Sequence, residues 1–177
     1  MTGHAFVDES KARGFLLAAA VMDPADLALA RKQVSVLRMP RQRRIHFAKE
    51  HDSRRRKIID ALASTEVRVR IYDAGRVDER VARRACLEAL IDDLARLKVR
   101  MLVLEQDDSL IESDRRVLYE RVRVAGCEHT LRYEHKAAHE QCLLAIPDAV
   151  AWCWAKGGEW RRRAEPIVAE ICAAKCQ

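Results

Sequence analysis

Three groups of acids stand directly after or inside apolar runs. His4-Ala5-Phe6-Val7 leads into Asp8-Glu9, Val99-Arg100-Met101-Leu102-Val103-Leu104 leads into Glu105-Gln106-Asp107-Asp108, and Leu143-Leu144-Ala145-Ile146-Pro147 leads into Asp148, which is followed by Ala149-Val150-Ala151. A carboxylate at the end of a buried segment is costly unless it is solvated, paired or bound to a metal. Two or three such groups brought together cannot all stay ionised without a cation. A hard divalent ion with oxygen ligands, Mg²⁺ or Mn²⁺, answers that need, and two such ions near a phosphodiester support in-line displacement. Asp8, Asp148 and Asp108 are therefore candidate metal ligands. Spacing alone leaves open whether Glu105 or Asp108 is the acid of the central apolar run.

The elements that would carry these acids follow from the hydrophobic pattern. The spacing predicts two opening strands, 4–8 and 14–21, and then a helix capped by Asp23 with Pro24 at its first position and ending near Met39-Pro40. Ile45-His46-Phe47 reads as a short strand, and a helix over 54–63 follows with Ile58, Ile59 and Leu62 inward. Residues 66–72 alternate apolar with charged, the period of a half-exposed strand. Asp78 opens a long helix with Val81, Leu87, Leu90, Ile91, Leu94 and Leu97 on its apolar side. Residues 99–104, nearly all apolar, read as a central strand covered on both faces. A helix over 113–125, an edge strand over 130–135, a buried helix from Asp148 to Gly157-Gly158 and a terminal helix from Trp160 complete the chain. Alternation of this kind predicts an α/β layered fold with a mixed sheet. With no repeat, low-complexity tract or dividing linker, residues 1–177 are expected to form a single domain.

The 177 residues are 49% hydrophobic and 34% charged, which excludes a disordered polar chain. No apolar run approaches the roughly 20 residues that span a bilayer, and the start lacks a signal pattern, so no membrane partner and a cytoplasmic location are expected. The net charge of +6 is carried mostly by Arg. The segment from Arg38 to Lys57 is the densest. It reads either as a solvated face or as a patch that tracks phosphates, with Arg41, Arg43, Arg44, Lys49, Arg54 and Arg55 as candidate nucleic-acid contacts. The six cysteines form no Cys-x-x-Cys pair and are expected to be apolar filler.

Phe6-Val7-Asp8-Glu9-Ser10, Ile45-His46-Phe47-Ala48-Lys49-Glu50 and Leu143 to Ala151 together resemble, in order and spacing, the motifs of the domain-of-unknown-function family numbered 3800. That resemblance implies a ribonuclease H-like mixed sheet with helices on both faces and an acidic centre like that of ribonuclease H, resolvases and transposases. It implies Asp8 at the first-strand position and Asp148 at the late-helix position, with the remaining central-strand acid between Glu105 and Asp108. Strand alternation turns Asp8 and Glu9 to opposite sides, and the resemblance selects Asp8. Three departures stand out. Lys11 replaces the Gly that usually follows Asp-Glu-Ser. Arg44 replaces an acid before Ile-His, for which Glu50 is the nearby substitute. Pro147 stands where Ala is common.

His135 and His139 have the i, i+4 spacing of a metal-binding helix face but lie beside an expected strand end. His46 is a metal-site neighbour or general base in the family context, and otherwise a polar residue on a half-buried strand. Trp152, Trp154 and Trp160 read as packing residues, although Trp160 beside three arginines offers a stacking surface. Two functions remain: a Mg²⁺- or Mn²⁺-dependent nuclease or phosphodiesterase acting on nucleic acid, or an inactive module of the same fold that binds nucleic acid or protein.

Overall fold

The computed structural model describes residues 3–176. Met1, Thr2 and Gln177, which the sequence reading includes in the domain, lie outside the described residues. Six strands form one mixed sheet: β1 (His4–Ser10), β2 (Phe15–Met22), β3 (Arg68–Gly75), β4 (Met101–Glu105), β5 (Arg132–Lys136) and β6 (Val168–Ala173), in the spatial order β5-β4-β1-β2-β3-β6. β1, β2 and β3 run as an antiparallel meander, while β4 lies parallel to β1, β5 parallel to β4, and β6 parallel to β3. Six helices are α1 (Leu27–Leu37), α2 (Asp52–Ala63), α3 (Glu79–Arg96), α4 (Ile111–Val124), α5 (Ala145–Lys156) and α6 (Gly158–Ala164).

Strand alternation divides the core in two. Phe6, Ala18, Ala20 and Val103 face one side of the sheet, where they meet apolar residues of α1, α2, α5 and α6. Ala5, Val7, Ala19, Leu102 and Leu104 face the other side, against α3 and α4. Ala18, Ala19 and Ala20 are fully buried in β2. Their small size leaves room for α5 on one face and α3 on the other, both of which pack on β2. β4 is apolar on both faces because both are covered.

Local signals explain most boundaries. Asp23 accepts a hydrogen bond from the Ala25 amide, and Pro24 opens a 3-10 turn that runs into α1. Asp78 accepts from the Arg80 and Val81 amides and so caps α3. Gly14 sits at φ 103° in the β1–β2 turn, and a Cβ there would lie 2.5 Å from the Gly75 carbonyl oxygen, so the turn requires glycine. Gly157, at φ 77°, ends α5.

Several elements differ from the sequence pattern. Ile45-His46-Phe47 is not a strand: Phe47 begins a single 3-10 turn, Phe47–Lys49, and its amide donates to Asp148 rather than to a neighbouring strand. The chain after Trp160 does not stay helical. Pro166 falls in a 3-10 turn, and Ile167 onward joins the sheet as β6 beside β3. The buried helix begins at Ala145 rather than at Asp148, with Pro147 in its first turn, where its missing N–H costs nothing. Val81 points outward and is 43% exposed. The described residues contain no helix long and apolar enough to cross a membrane. All six cysteines are free.

Candidate active site

β1 and β4 pair in parallel from His4 beside Met101 to Val7 beside Leu104. One step further along this register sets Asp8 beside Glu105. Phe6 and Val103 face the α5 side, so two residues on, Asp8 and Glu105 face it too. α5 crosses that face and presents Asp148 from its first turn. The three acids line one cleft of about 740 Å³, together with His46, Ala48 and Trp152 from the α5 side and residues 106–108 and 9–12 at the strand ends.

The electrostatics of this cleft are unbalanced. Burial pushes the Asp8 carboxyl well above the usual carboxylate range, and the charges of Glu105 and Asp148 push it further. The Glu9 amide, 2.7 Å from Asp8 Oδ1, pulls the other way without prevailing. Burial raises Asp148 as well, against the Phe47 amide, which donates to Oδ2 at 2.9 Å. His46 Nδ1 stands 3.7 Å from that oxygen and is buried without a hydrogen-bond partner. Glu105 is the one acid of the three with a formal cation on it: Arg44 Nη1 donates to Oε1 at 2.8 Å.

The remaining candidates fall elsewhere. Asp108 lies on the exposed loop beyond β4, at the rim of the cleft, and accepts from Gln106 Nε2 at 2.6 Å. The register of β4 thus distinguishes Glu105 from Asp108, which spacing could not. Glu50 is buried but does not line the cleft. It accepts from Gln42 and from Arg54, 3.5 Å away.

The basic segment is also divided. Arg54 donates to the Leu37 carbonyl at 2.7 Å. Arg55 donates to the carbonyls of Phe47 and Ala48 at 3.0 and 2.6 Å and lies over the Trp152 ring. Both guanidinium groups hold the chain in place rather than face solvent as phosphate donors. Arg44 is committed to Glu105. Arg41, Arg43 and Lys49 are exposed and have no ion-pair partner among the described residues.

Sequence reasoning missed a second charged cluster behind the cleft. Glu9 faces the α3–α4 side and pairs with Arg83, which grips Asp114 through two hydrogen bonds of 2.7 and 2.8 Å, and Asp114 Oδ2 lies 3.0 Å from His135 Nε2. Arg83 was the available signal, a charged residue flanked by the apolar positions Ala82 and Cys86. His135 is therefore a strand residue tied to Asp114, and His139 stands in an exposed turn beyond β5, so the two do not share a helix face.

By chemistry these are the oxygen donors a hard divalent cation takes: three carboxylates on one face, two of them driven toward the neutral form by burial and by the charge of Glu105. Among the described residues, no group of three or more His, Cys, Asp or Glu side chains is placed so that it could hold a metal ion. Arg44 occupies one oxygen of Glu105 in this arrangement.

No family model and no curated protein matches this sequence. Among solved structures, it is similar to a chain in the structure of the PCNA:RNase HII complex from Archaeoglobus fulgidus, with a TM-score of 0.59 at 20% identity, over 86% of this chain and 72% of that one. The likeness is one of fold. The mixed sheet with helices on both faces is ribonuclease H-like.

Proposed function

We propose that this protein is a divalent-cation-dependent nuclease that hydrolyses phosphodiester bonds in nucleic acid. The observation that carries the reading is the β1–β4 register, which sets Asp8 beside Glu105 under Asp148 in one open cleft. Asp8, Glu105 and Asp148 hold Mg²⁺ or Mn²⁺, and Asp108 stands at the rim. When bound, the cation supplies Lewis-acid stabilisation of charge building on the phosphate. The chain's own residues do the rest. The Phe47 amide orients Asp148. Arg55 fixes the turn that carries that amide. Arg41, Arg43 and Lys49 contact backbone phosphates outside the cleft. The resemblance to the family numbered 3800 and the ribonuclease H-like fold support the same reading.

The test is a nuclease assay on DNA and RNA with Mg²⁺ and with Mn²⁺. Asp8→Asn and Asp148→Asn are expected to lower turnover by about 100-fold or more, while Glu50→Gln leaves turnover close to wild type. Turnover that survives both Asp substitutions contradicts the assignment. The Arg44–Glu105 pair favours one other reading, a nucleic-acid- or protein-binding module without cleavage. That reading predicts salt-dependent binding with no turnover in either metal.

A further inference from the structure

Trp154 and Trp160 are core residues, 6% and 8% exposed, while Trp152 is half-buried and lines the cleft. It stands four residues after Asp148 on α5, so the two side chains lie one above the other on the same helix face. The other lining residues are charged, polar or alanine. Trp152 is thus the large apolar surface of a polar, acidic cleft.

The indole is fixed by its neighbours. The Phe47 and Trp160 rings each meet it edge-on with centroids 5.3 Å away, and the Arg55 guanidinium lies 4.5 Å from its centroid. Phe47 is fully buried, and its amide is the one that donates to Asp148, so a single turn positions both the indole and the carboxylate. A side chain held in this way loses little rotamer entropy on binding. The same stripe of α5 continues to Lys156, which is exposed and has its ammonium 6.0 Å from the Trp152 ring centroid. Asp148, Trp152 and Lys156 therefore follow one another along about 12 Å of helix. That order suits a nucleic-acid strand laid along α5, with the bond to be cut at the carboxylate end, a base against the indole and a phosphate at the ammonium.

In a continuous duplex both faces of each base are covered by its neighbours, and only base edges are open in the grooves. An indole on a cleft wall can pack on a base only when that base has left the stack. We propose that Trp152 is a substrate-binding residue that packs against the base of an unpaired nucleotide, so that the cleft takes single-stranded rather than continuous duplex nucleic acid. The inference rests on the functional reading above and names the form of its substrate.

The experiment is fluorescence anisotropy of end-labelled oligonucleotides with the full chain in EDTA, which reads binding without turnover. The probes are a single strand, the same sequence as a duplex, and a single strand in which every nucleotide is abasic. Wild type is expected to bind the first about tenfold more tightly than either of the others. Trp152→Ala should lose that advantage and leave duplex and abasic binding unchanged, and Trp152→Phe should keep most of it, with circular dichroism confirming that both fold. Equal binding of the base-bearing and abasic strands by wild type overturns the inference without recourse to a variant. An equal loss on single strand and duplex in Trp152→Ala overturns it too. So does the absence of binding to any probe. In each of these cases turnover that depends on Asp8 leaves the nuclease reading standing, and the absence of turnover removes both.

Discussion

Asp8 and Glu9 are adjacent in β1, yet each joins a charged cluster of opposite character. Asp8 faces α5 and meets Glu105 and Asp148, an excess of buried negative charge that Arg44, His46 and backbone amides relieve in part. Glu9 faces α3 and α4 and enters a chain in which each charge has a partner: Glu9, Arg83, Asp114 and His135. Asp114 is 1% exposed and Arg83 6%. Although burial works against it, the hydrogen bonds from Arg83 and His135 hold the Asp114 carboxyl below the usual carboxylate range. One residue of register thus separates a cluster whose pairing stabilises the fold from one whose imbalance costs stability. Such a cost persists where the groups serve another purpose.

Substitutions on the two faces should therefore differ in sign. The largest effect is expected on the paired face. Arg83→Leu leaves the buried charges of Glu9 and Asp114 without their guanidinium, with Asp114 still against His135, and should cost about 3–5 kcal/mol, a fall in Tm of more than about 6 °C for a chain of this size. A drop under about 1 kcal/mol in chemical denaturation would mean that the cluster is not structural.

The same comparison applies to the basic segment. Arg55→Ala removes donors to the Phe47 and Ala48 carbonyls and should cost about 1–3 kcal/mol of stability. The triple change of Arg41, Arg43 and Lys49 to Ala should leave Tm near wild type but lower the slope of log K against log salt for nucleic acid by about 2–3. If Arg55→Ala weakens binding at full stability, the division of the segment is wrong.

On the acidic face the expected sign is opposite. A carboxyl whose pKa is raised by folding binds its proton more tightly in the native state, so stability falls as pH rises from the ordinary carboxylate value through the raised one. Asp8→Asn removes that loss. Without divalent cations at neutral pH it should stabilise the protein by about 1 kcal/mol, and the difference from wild type should vanish in acid. Asp114 predicts the reverse. Its carboxyl is lowered by folding, so its contribution is present above the ordinary carboxylate value and is lost as pH falls through the lowered one. The smallest effect should come from an exposed pair on the α3 surface: Arg84→Ala breaks contacts to Glu88 and Glu120 and should change stability by less than about 1 kcal/mol.

The fold was more legible in the sequence than the site. Apolar runs and helix caps located β1, β2, β4 and the starts of α1 and α3, because those signals are local. The segment 45–47 misled because its alternation resembled a strand while its amide was taken by Asp148, 101 residues away. β6 was missed because a Trp-Arg-Arg-Arg run suggested more helix than Pro166 allows. Asp8 and Asp148 could be singled out as acids at the ends of apolar segments. Choosing between Glu105 and Asp108 required the β1–β4 register, which is a tertiary fact. Nothing in the arginine-rich composition distinguished Arg44 on a carboxylate, Arg54 and Arg55 on carbonyls, and Arg41 and Arg43 in solvent.

The central claim is that the unbalanced face is a cation site. Thermal unfolding with and without Mn²⁺ tests it most directly. At Mn²⁺ about 100-fold above Kd, wild type should gain about 2.7 kcal/mol, and Asp8→Asn, although more stable without metal, should gain almost nothing. A wild-type Tm that ignores Mn²⁺, or an equal rise in Asp8→Asn, would contradict the account.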